Sequence, residues 1–394
     1  MPEASGDRRG WPKGFGRTVA DREALLVLAH LERMIPRDLY AMAWRRGTAS
    51  RCLEIVRREG STTDRSIAET VDPRVVGERL RTLGARAITP ADDEYPSRLL
   101  ALADPPACLF VRGRPLSKLG TAVAVVGARS CSPYGRDAAI NLASQLALAG
   151  VTVVSGAALG VDGASHEGAL RAGGHTVAVL GSGIDRPHPF TNEGLIERIA
   201  AQGTVVSEYP PGAEPWPRRF PQRNRIIAGL SQGVIVVEGA AGSGSLQTAD
   251  FSEGLDREVM AVPGPIDSSL SQAPHELIRH GAALVADADD VLDALGLFDR
   301  DAGPPPPPPA LDDGDHEGRV LAILSGRPAS LEAVATASGL PMERALVVLS
   351  GLELRGLAEA QGGRYRRAPP QPRRERQTSS RPDSASRARS AEGG

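Results

Sequence analysis

The stretch Val-Ala-Val-Val-Gly-Ala-Arg-Ser at 123–130 is the first of a series that decides the fold. A short apolar, β-branched run ends in glycine, and a helical pattern follows it. Comparable runs lie farther along the chain, at 151–154, 176–180, 204–206, 234–237, 259–262 and, as an edge strand, 283–285. Uninterrupted apolar strands alternating with helices are typical of a parallel sheet covered on both faces. With right-handed crossovers, the pattern predicts an α/β, extended Rossmann-like, doubly wound parallel sheet.

Different patterns flank this sheet. Apolar residues at helical spacing between 21 and 83 predict a small helical domain. Beyond the proline run at 304–309, the order helix, turn, helix and hairpin is typical of a winged helix. The predicted segments are a disordered N-terminus at 1–18, a helical, SAM-like domain at 19–85, the Rossmann-like domain at 86–297, a proline-rich linker at 298–316, a winged-helix domain at 317–367 and a basic disordered tail at 368–394.

Composition narrows the functional classes. The 394 residues are 41% apolar and carry a net charge of only −2, so any nucleic-acid site must be a local basic patch. The three cysteines form no CxxC pair, which fits a reducing compartment. No apolar run is long enough for a membrane span, and the N-terminus lacks the apolar segment of a signal peptide. We therefore expect a cytoplasmic protein that does not enter a membrane.

Small or anion-binding residues follow most of the predicted strands. In a doubly wound sheet, ligands bind outside the C-terminal strand ends, where these turns converge. One such turn alone is weak evidence, because a plain strand-to-helix connection has the same composition. The candidates in these turns are Gly127, Arg129, Ser155, Gly156, Ser243, Gly244 and Ser245.

The most informative turn is Trp-Pro-Arg-Arg-Phe-Pro-Gln-Arg-Asn-Arg at 216–225. Arginine forks bind phosphates and an aromatic face stacks on a base, so this pairing favours single-stranded nucleic acid. We expect Phe220 to stack at the surface, with a core position as the alternative. The candidate residues here are Arg218, Arg219, Phe220, Arg223, Asn224 and Arg225, and we expect Arg225, like Arg129, at the ligand edge outside the core.

The motifs of the common nucleotide cofactors are absent from the sequence. The residues after Gly127 do not run GxGxxG, and no Gly-Lys-Ser/Thr follows a glycine loop, so we expect no NAD, ATP or other cofactor. The histidines lack metal-ligand spacing. His166, four residues after Asp162, is more often a packing or capping residue than a base. Glu208 and Glu238 are expected to hold neighbouring arginines in place.

The ordered motifs of 95–297 resemble the bacterial DNA-processing protein A family. They are Tyr-Pro-x-x-Leu, Asp-Pro-Pro-x-x-Leu-Phe, Val-Gly-Ala-Arg, Ser-Gly-x-Ala-x-Gly-Val-Asp, Leu-Gly-Ser-Gly-Ile-Asp, Ser-Glu-Tyr-Pro-Pro-Gly, Phe-Pro-x-Arg-Asn-Arg-Ile-Ile-Ala-Gly-Leu-Ser, Ser-Gly-Ser-Leu-x-Thr and Val-Pro-Gly. The resemblance implies a non-catalytic, dimeric protein that binds single-stranded DNA. It also implies protection of incoming DNA in natural transformation and help in loading the RecA recombinase.

Three positions depart from the family pattern. Leu159 and Gly242 stand where the family often has a basic residue, and Pro217 replaces another, which predicts weaker DNA binding. Two other functions remain as alternatives. A nucleoside-monophosphate phosphoribohydrolase would share the sheet, but its loop needs an acid that 242–248 lacks. A transcription regulator would use the helix at 342–354, which is poor in base-reading side chains.

Overall fold

A computed structural model describes residues 10–297, 316–324, 329–361 and 364–368. The chain divides into two compact units, Met1–Phe298 and Asp299–Gly394, and each is described by itself. Within the described residues, no helix is both long and apolar enough to cross a bilayer.

Residues 10–297 contain one sheet of nine strands. The strands are β1 (Ala85–Ile88), β2 (Leu109–Gly113), β3 (Ala122–Val126), β4 (Thr152–Ser155), β5 (Thr176–Leu180), β6 (Thr204–Ser207), β7 (Gly233–Val236), β8 (Glu258–Ala261) and β9 (Ala283–Leu284). Their spatial order is β1-β2-β6-β5-β4-β3-β7-β8-β9. The chain runs outward from β3 to β6 on one side, then returns to place β7 on the other side of β3. This reversal of strand order is the arrangement predicted from the sequence.

The two outer strands differ from that prediction. β3 to β9 are parallel, but β2 pairs antiparallel with β6, and β1 pairs antiparallel with β2. The sheet is therefore mostly parallel rather than wholly parallel. The stretch before residue 113 carries turn-rich Pro and Asp segments and no crossover helix, which is why its two strands were not predicted.

Helices cover both faces of the sheet. Along β3, Ala124 belongs to one apolar cluster and its neighbours Val123 and Val125 to another, so alternate side chains are buried on opposite faces. α6 (Pro133–Leu148), α7 (Val161–Arg171) and α12 (Ala288–Ala294) pack in one cluster; α9 (Arg219–Leu230), α10 (Gly244–Glu253) and α11 (Gln272–Arg279) pack in the other.

The N-terminal helices share a core with the sheet. They are α1 (Val19–Leu28), α2 (Pro36–Arg46), α3 (Ala49–Glu59), α4 (Thr62–Thr70) and α5 (Pro73–Thr82). Leu25 and Val56 lie in the same apolar cluster as Leu180 of β5 and Ile199 of α8 (Glu193–Gln202). This apolar cluster contains residues from both sides of position 85. The domain boundary expected there stays a prediction.

The expected disorder of 1–18 is wrong for residues 10–18, whereas 1–9 lie outside the described residues. Trp11 stacks on Phe15 with ring centroids 4.5 Å apart, and Phe15 is only 1% exposed. The hydroxyl of Tyr40 on α2 donates to the Gly10 carbonyl at 2.7 Å. The glycines that suggested disorder supply turns: Gly14 has a φ of +83°, which side chains other than glycine rarely adopt.

The smaller unit has the winged-helix order of elements. It comprises α13 (His316–Leu324), β10 (Ala329–Ser330), α14 (Leu331–Ser338), α15 (Met342–Leu354), β11 (Ala358–Gln361) and β12 (Arg364–Arg367), with strand order β10-β12-β11. Gly339, with a left-handed φ of +70°, turns the chain between α14 and α15. The predicted linker and tail lie outside the described residues except for His316 and Ala368.

Phe15→Ala should test whether the N-terminal segment contributes to the fold. Loss of a fully buried phenylalanine costs about 3–5 kcal/mol. We expect a fall of that size in the free energy of unfolding, measured by urea titration of the full chain. Lys13→Ala, at an exposed position in the same segment, is the matched control. Equal stability of the two variants would contradict the packing of this segment.

Candidate nucleic-acid interface

The site lies at the C-terminal edge of the parallel strands. The turns after β3 and β7 meet there, since Ala128 donates its amide to the Glu238 carbonyl at 2.7 Å. The positions on either side of a reversal in strand order form a crevice, which is where open α/β sheets bind ligands. The predicted turns thus converge on one edge, but the residues within them have different roles.

Arg223 of α9 is buried behind this edge rather than exposed on it. It is 4% exposed, and its Nη1 donates to the carbonyl of Gly156 at 2.6 Å and to that of Val179. These carbonyls follow β4 and end β5, so one guanidinium joins the two strands. Burial lowers the pKa of Arg223, and the charge of buried Asp162 opposes this shift. The prediction that Arg223 contacts DNA therefore conflicts with its position.

Arg225 is also a core residue, so its expected place outside the core is wrong. It is 4% exposed; its Nη2 lies 2.8 Å from Glu208 Oε1, and its Nε lies 3.1 Å from Asp104 Oδ1. The expectation that Glu208 holds a neighbouring arginine is met. Glu238 instead binds the start of α6, accepting from the Ser132 amide at 2.8 Å and hydroxyl at 2.6 Å.

Close packing accounts for the glycines at two predicted positions. A Cβ on Gly156 would collide with the Arg223 guanidinium, and one on Gly127 would lie 2.8 Å from the Glu238 carbonyl oxygen. Ser155 is fully buried, and its hydroxyl donates to the Val125 carbonyl at 2.7 Å. These residues shape the edge from behind rather than offering groups to a ligand.

An aromatic and cationic group faces outward at the edge. Phe220 is half-buried and lies over Gly181, where a Cβ would come within 2.8 Å of the ring. The Cζ of the exposed Arg129 lies 5.3 Å from the centroid of the Phe220 ring. The centroid of the His188 ring lies 5.4 Å from the same Phe220 centroid. Phe220 is thus neither a core residue nor a free side chain. His188, which sequence analysis did not assign to the site, gave no local signal of this contact.

Two arginines at the start of α9 are stacked on aromatic rings. The Cζ of Arg218 lies 4.6 Å from the Trp216 centroid, and the Cζ of Arg219 lies 4.6 Å from Trp216 and 4.7 Å from Tyr209. Arg219 also donates to the Glu214 carbonyl at 2.6 Å. Stacking fixes the plane of a guanidinium and leaves its N–H edge free for an anion. Trp216 belongs to the stretch 216–225 from which the site was predicted, whereas Tyr209 was not among the predicted residues.

The turn before α10 completes the edge. The hydroxyls of Ser243 and Ser245 lie 2.7 Å apart, and Asn224 of α9 donates to the Gly244 carbonyl at 3.4 Å. Ser243 is half-buried, Gly244 is exposed and Ser245 is 7% exposed. The positions that depart from the family pattern, Leu159, Pro217 and Gly242, are all exposed.

His166 cannot act as a base at this edge. It is fully buried, and its Nδ1 lies 2.7 Å from Thr176 Oγ1, whose hydroxyl donates to the Val153 carbonyl at 2.9 Å. Nδ1 must therefore be the donor, and Nε2 has no hydrogen-bond partner within the described residues. Burial, with the nearby charge of Arg223, lowers the pKa of His166 to about 3.

Arg225→Ala should destabilise the fold far more than Arg129→Ala. Removing Arg225 leaves the Glu208 carboxylate, whose side chain is only 12% exposed, without its partner, which costs about 3–5 kcal/mol. Removing exposed Arg129 forfeits one cation–π contact, about 1 kcal/mol or less. Chemical unfolding of both variants measures the difference. Two equally small losses would show that Arg225 is not a core residue.

The buried neutral His166 should make stability depend on pH. The unfolded imidazole titrates near 6.5, so the unfolded chain binds the extra proton first as the pH falls. This contribution is complete above pH 6.5 and is lost toward pH 3, by about 2 kcal/mol between pH 7 and 5. His166→Gln should lose that part of the dependence in urea unfolding at the two pH values. His280→Gln, at an exposed histidine, is the control; an unchanged profile in His166→Gln would contradict the interpretation.

Comparisons with known proteins agree with these features. A family model described as DNA recombination-mediator protein A matches residues 86–296, and one for the DprA winged helix domain matches 304–364. A putative DNA processing protein DprA of Mycobacterium tuberculosis H37Rv is 41% identical over 305 residues, which are 73% of this chain and 78% of that protein. Protein Smf of Escherichia coli K12 is 40% identical over 285 residues, 71% and 76% of the two chains.

A solved structure extends the similarity to the fold. The X-ray structure of DNA processing protein A from Streptococcus pneumoniae matches with a TM-score of 0.61 and 34% identity, covering 70% of this chain and 98% of that one. The resemblance seen in the sequence motifs is thereby confirmed. Because the first family model spans more than half of the chain, and its edge carries the motifs in their expected places, the protein belongs to the DNA recombination-mediator protein A (DprA) family.

Proposed function

We propose that this protein binds single-stranded DNA along the C-terminal edge of its sheet, as a recombination mediator. The observation that carries the proposal is the outward-facing group of Phe220, Arg129 and His188. Phe220 and the Arg129 guanidinium over its ring together offer a stacking surface to an unpaired base and a positive charge to the adjoining phosphate. In a duplex the base faces are already stacked on one another, so this group favours a single strand.

The other residues predicted for the site divide into two sets. Arg218, Arg219, Asn224, Ser243 and Gly244 present polar or backbone groups at the edge. The buried residues support them from behind: Arg223, Arg225, Ser155 and Ser245, with the closely packed Gly127 and Gly156. The site we propose therefore has fewer DNA-contacting residues than the one predicted from the sequence.

A binding role suits this edge better than a catalytic one. Within the described residues, His166 is buried and uncharged, and Glu238 is 2% exposed and engaged with Ser132. The turn that would carry the acid of a phosphoribohydrolase has none at 242–248. We therefore propose that the protein is not an enzyme. Hydrolysis of nucleoside monophosphates by the purified chain would overturn this part.

The biological setting is proposed from the family. Relatives named DNA processing protein DprA occur in Bacillus subtilis and Streptococcus pneumoniae, which supports a role in processing DNA. From the family resemblance we propose that this chain protects incoming single strands in natural transformation and helps to load the RecA recombinase, as a homodimer in the cytoplasm. The three free cysteines fit a reducing compartment.

Binding of a dT oligonucleotide and of a duplex of equal length tests the proposal. We expect tighter, salt-sensitive binding of the single strand, measured by fluorescence anisotropy. Phe220→Leu keeps an apolar side chain but removes the flat face, so affinity should fall by about 1 kcal/mol or more. Arg129→Ala should weaken binding by about 1.5–3 kcal/mol, as for one charge-assisted contact.

The control is Arg58→Ala, which removes an exposed arginine on α3 paired with Glu59. It should bind as the unaltered protein does. Thermal melts of each variant separate loss of the site from loss of the fold. Equal affinity for duplex and single strand would reject the proposed function. Normal binding by folded Phe220→Leu would reject the stacking role.

A further inference from the structure

A cluster of three arginines lies beside this edge and has no role in the site described so far. Arg136 of α6, Arg171 of α7 and Arg198 of α8 approach Glu167, at 3.2, 3.3 and 3.9 Å. Within the described residues none of the three pairs with another acid. One carboxylate therefore faces three guanidinium groups, and the cluster keeps an excess of two positive charges.

The cluster is accessible. The arginine side chains are 52%, 64% and 56% exposed, whereas Glu167 is 24% exposed. These helices carry four other acids, and none forms an ion pair with the three arginines in the described structure: Asp137 and Glu193 are exposed, Asp162 is buried, and Glu197 pairs with Arg112. They reduce the wider potential but do not occupy the guanidinium edges. Such edges are suited to phosphate oxygens.

A groove of about 380 Å³ runs along two of these arginines. Arg136 and Arg198 line it together with Glu167, Leu159, Gly160 and Asn192. Asn192 fixes one wall, because its Nδ2 donates to the carbonyls of Ala157 and Ala158, each at 3.0 Å. These carbonyls belong to the turn after β4, so the groove opens at the same edge of the sheet.

The segment 188–192 connects the groove with the aromatic group. His188 lies against Phe220, and Thr191 and Asn192 line the groove. Between them stands Phe190, whose side chain is 76% exposed. An exposed aromatic side chain therefore lies in the chain between the residue that contacts Phe220 and those that line the groove.

We propose that this groove is a second phosphate-binding site for the same DNA strand, an inference that rests on the proposed function. Arg136 and Arg198 neutralise phosphates beyond the base held at Phe220, and Arg171 adds to the local charge. Glu167 holds the guanidinium groups in place and weakens their attraction for the strand. The groove therefore lengthens the binding site and steepens its dependence on salt.

The test uses the full chain with dT oligonucleotides of about 6 and about 20 nucleotides, within and beyond the usual range of single-strand sites. R136A/R198A should bind the longer one about tenfold more weakly and the shorter one normally. The slope of log affinity against log salt concentration should decrease in magnitude by about 1.4, since each phosphate contact on a single strand contributes about 0.7. Arg58→Ala should change neither affinity.

Glu167→Gln gives a readout of opposite sign. It keeps hydrogen-bonding capacity but removes the neutralising charge, so affinity for the longer oligonucleotide should rise about two- to threefold. A merely structural cluster would lose affinity instead, and that result would overturn the proposal. So would an unchanged salt slope in folded R136A/R198A.

Two further results keep the test decisive. If the double variant is unfolded in thermal melts, Arg198→Ala carries the test alone, because its ion pair is the longest of the three; its slope should fall by about 0.7. An unchanged slope there overturns the proposal. Failure of the unaltered protein to bind either oligonucleotide would reject the proposed function itself, and this inference with it.

Discussion

The hydrogen bonds of the buried Arg223 guanidinium are the interaction on which the proposed DNA-binding edge depends. The guanidinium joins the ends of β4 and β5 through two carbonyls, so it fixes the spacing of the turns that follow those strands. Its position requires glycine at 156, where a Cβ would collide with it. A buried charge is costly unless it is paired and hydrogen-bonded; the two carbonyls supply hydrogen bonds, and the charge of Asp162 offsets part of the cost of burial. The same charge helps to keep His166 neutral.

Arg223 and Arg225 together fix the N-terminal part of α9. They thereby position Arg219 and Phe220, which lie in the first turn of this helix. Arg225 ties the helix to Glu208 after β6 and to Asp104 before β2. Because Arg223 and Arg225 are buried beneath the helix, Phe220 and Arg219 lie at its start and face outward. A binding group fixed in this way loses little further freedom when a strand arrives, which favours affinity. In the proposed site, the two supporting arginines therefore act on binding without touching the ligand.

Much of this arrangement could be predicted from the sequence, because strand runs, their order and the glycine turns are local signals. The seven parallel strands and the helix–turn–helix were predicted close to their observed bounds.

The segment 216–225 could not reveal which of its arginines are buried. Asp104, Glu208 and Asp162 are distant in the chain, so burial of Arg223 and Arg225 follows from tertiary contacts. The glycines at 127 and 156 were attributed to ligand approach for the same reason, although packing explains them. Residues 10–18 were misjudged because their glycines outweighed the aromatic pair, Trp11 and Phe15.

The net charge of −2 is compatible with DNA binding because the positive charge is organised locally. The buried Arg225 is matched by Glu208 and Asp104, and so contributes little field outside. Arg218 and Arg219 instead lie on aromatic rings, which hold a guanidinium without neutralising it. The field of a cation held on a ring is not cancelled and can attract a phosphate, whereas a carboxylate partner largely cancels the field of the cation that it holds. The attractive potential at this edge therefore depends on which arginines have aromatic partners and which have acidic ones, rather than on how many arginines the chain contains.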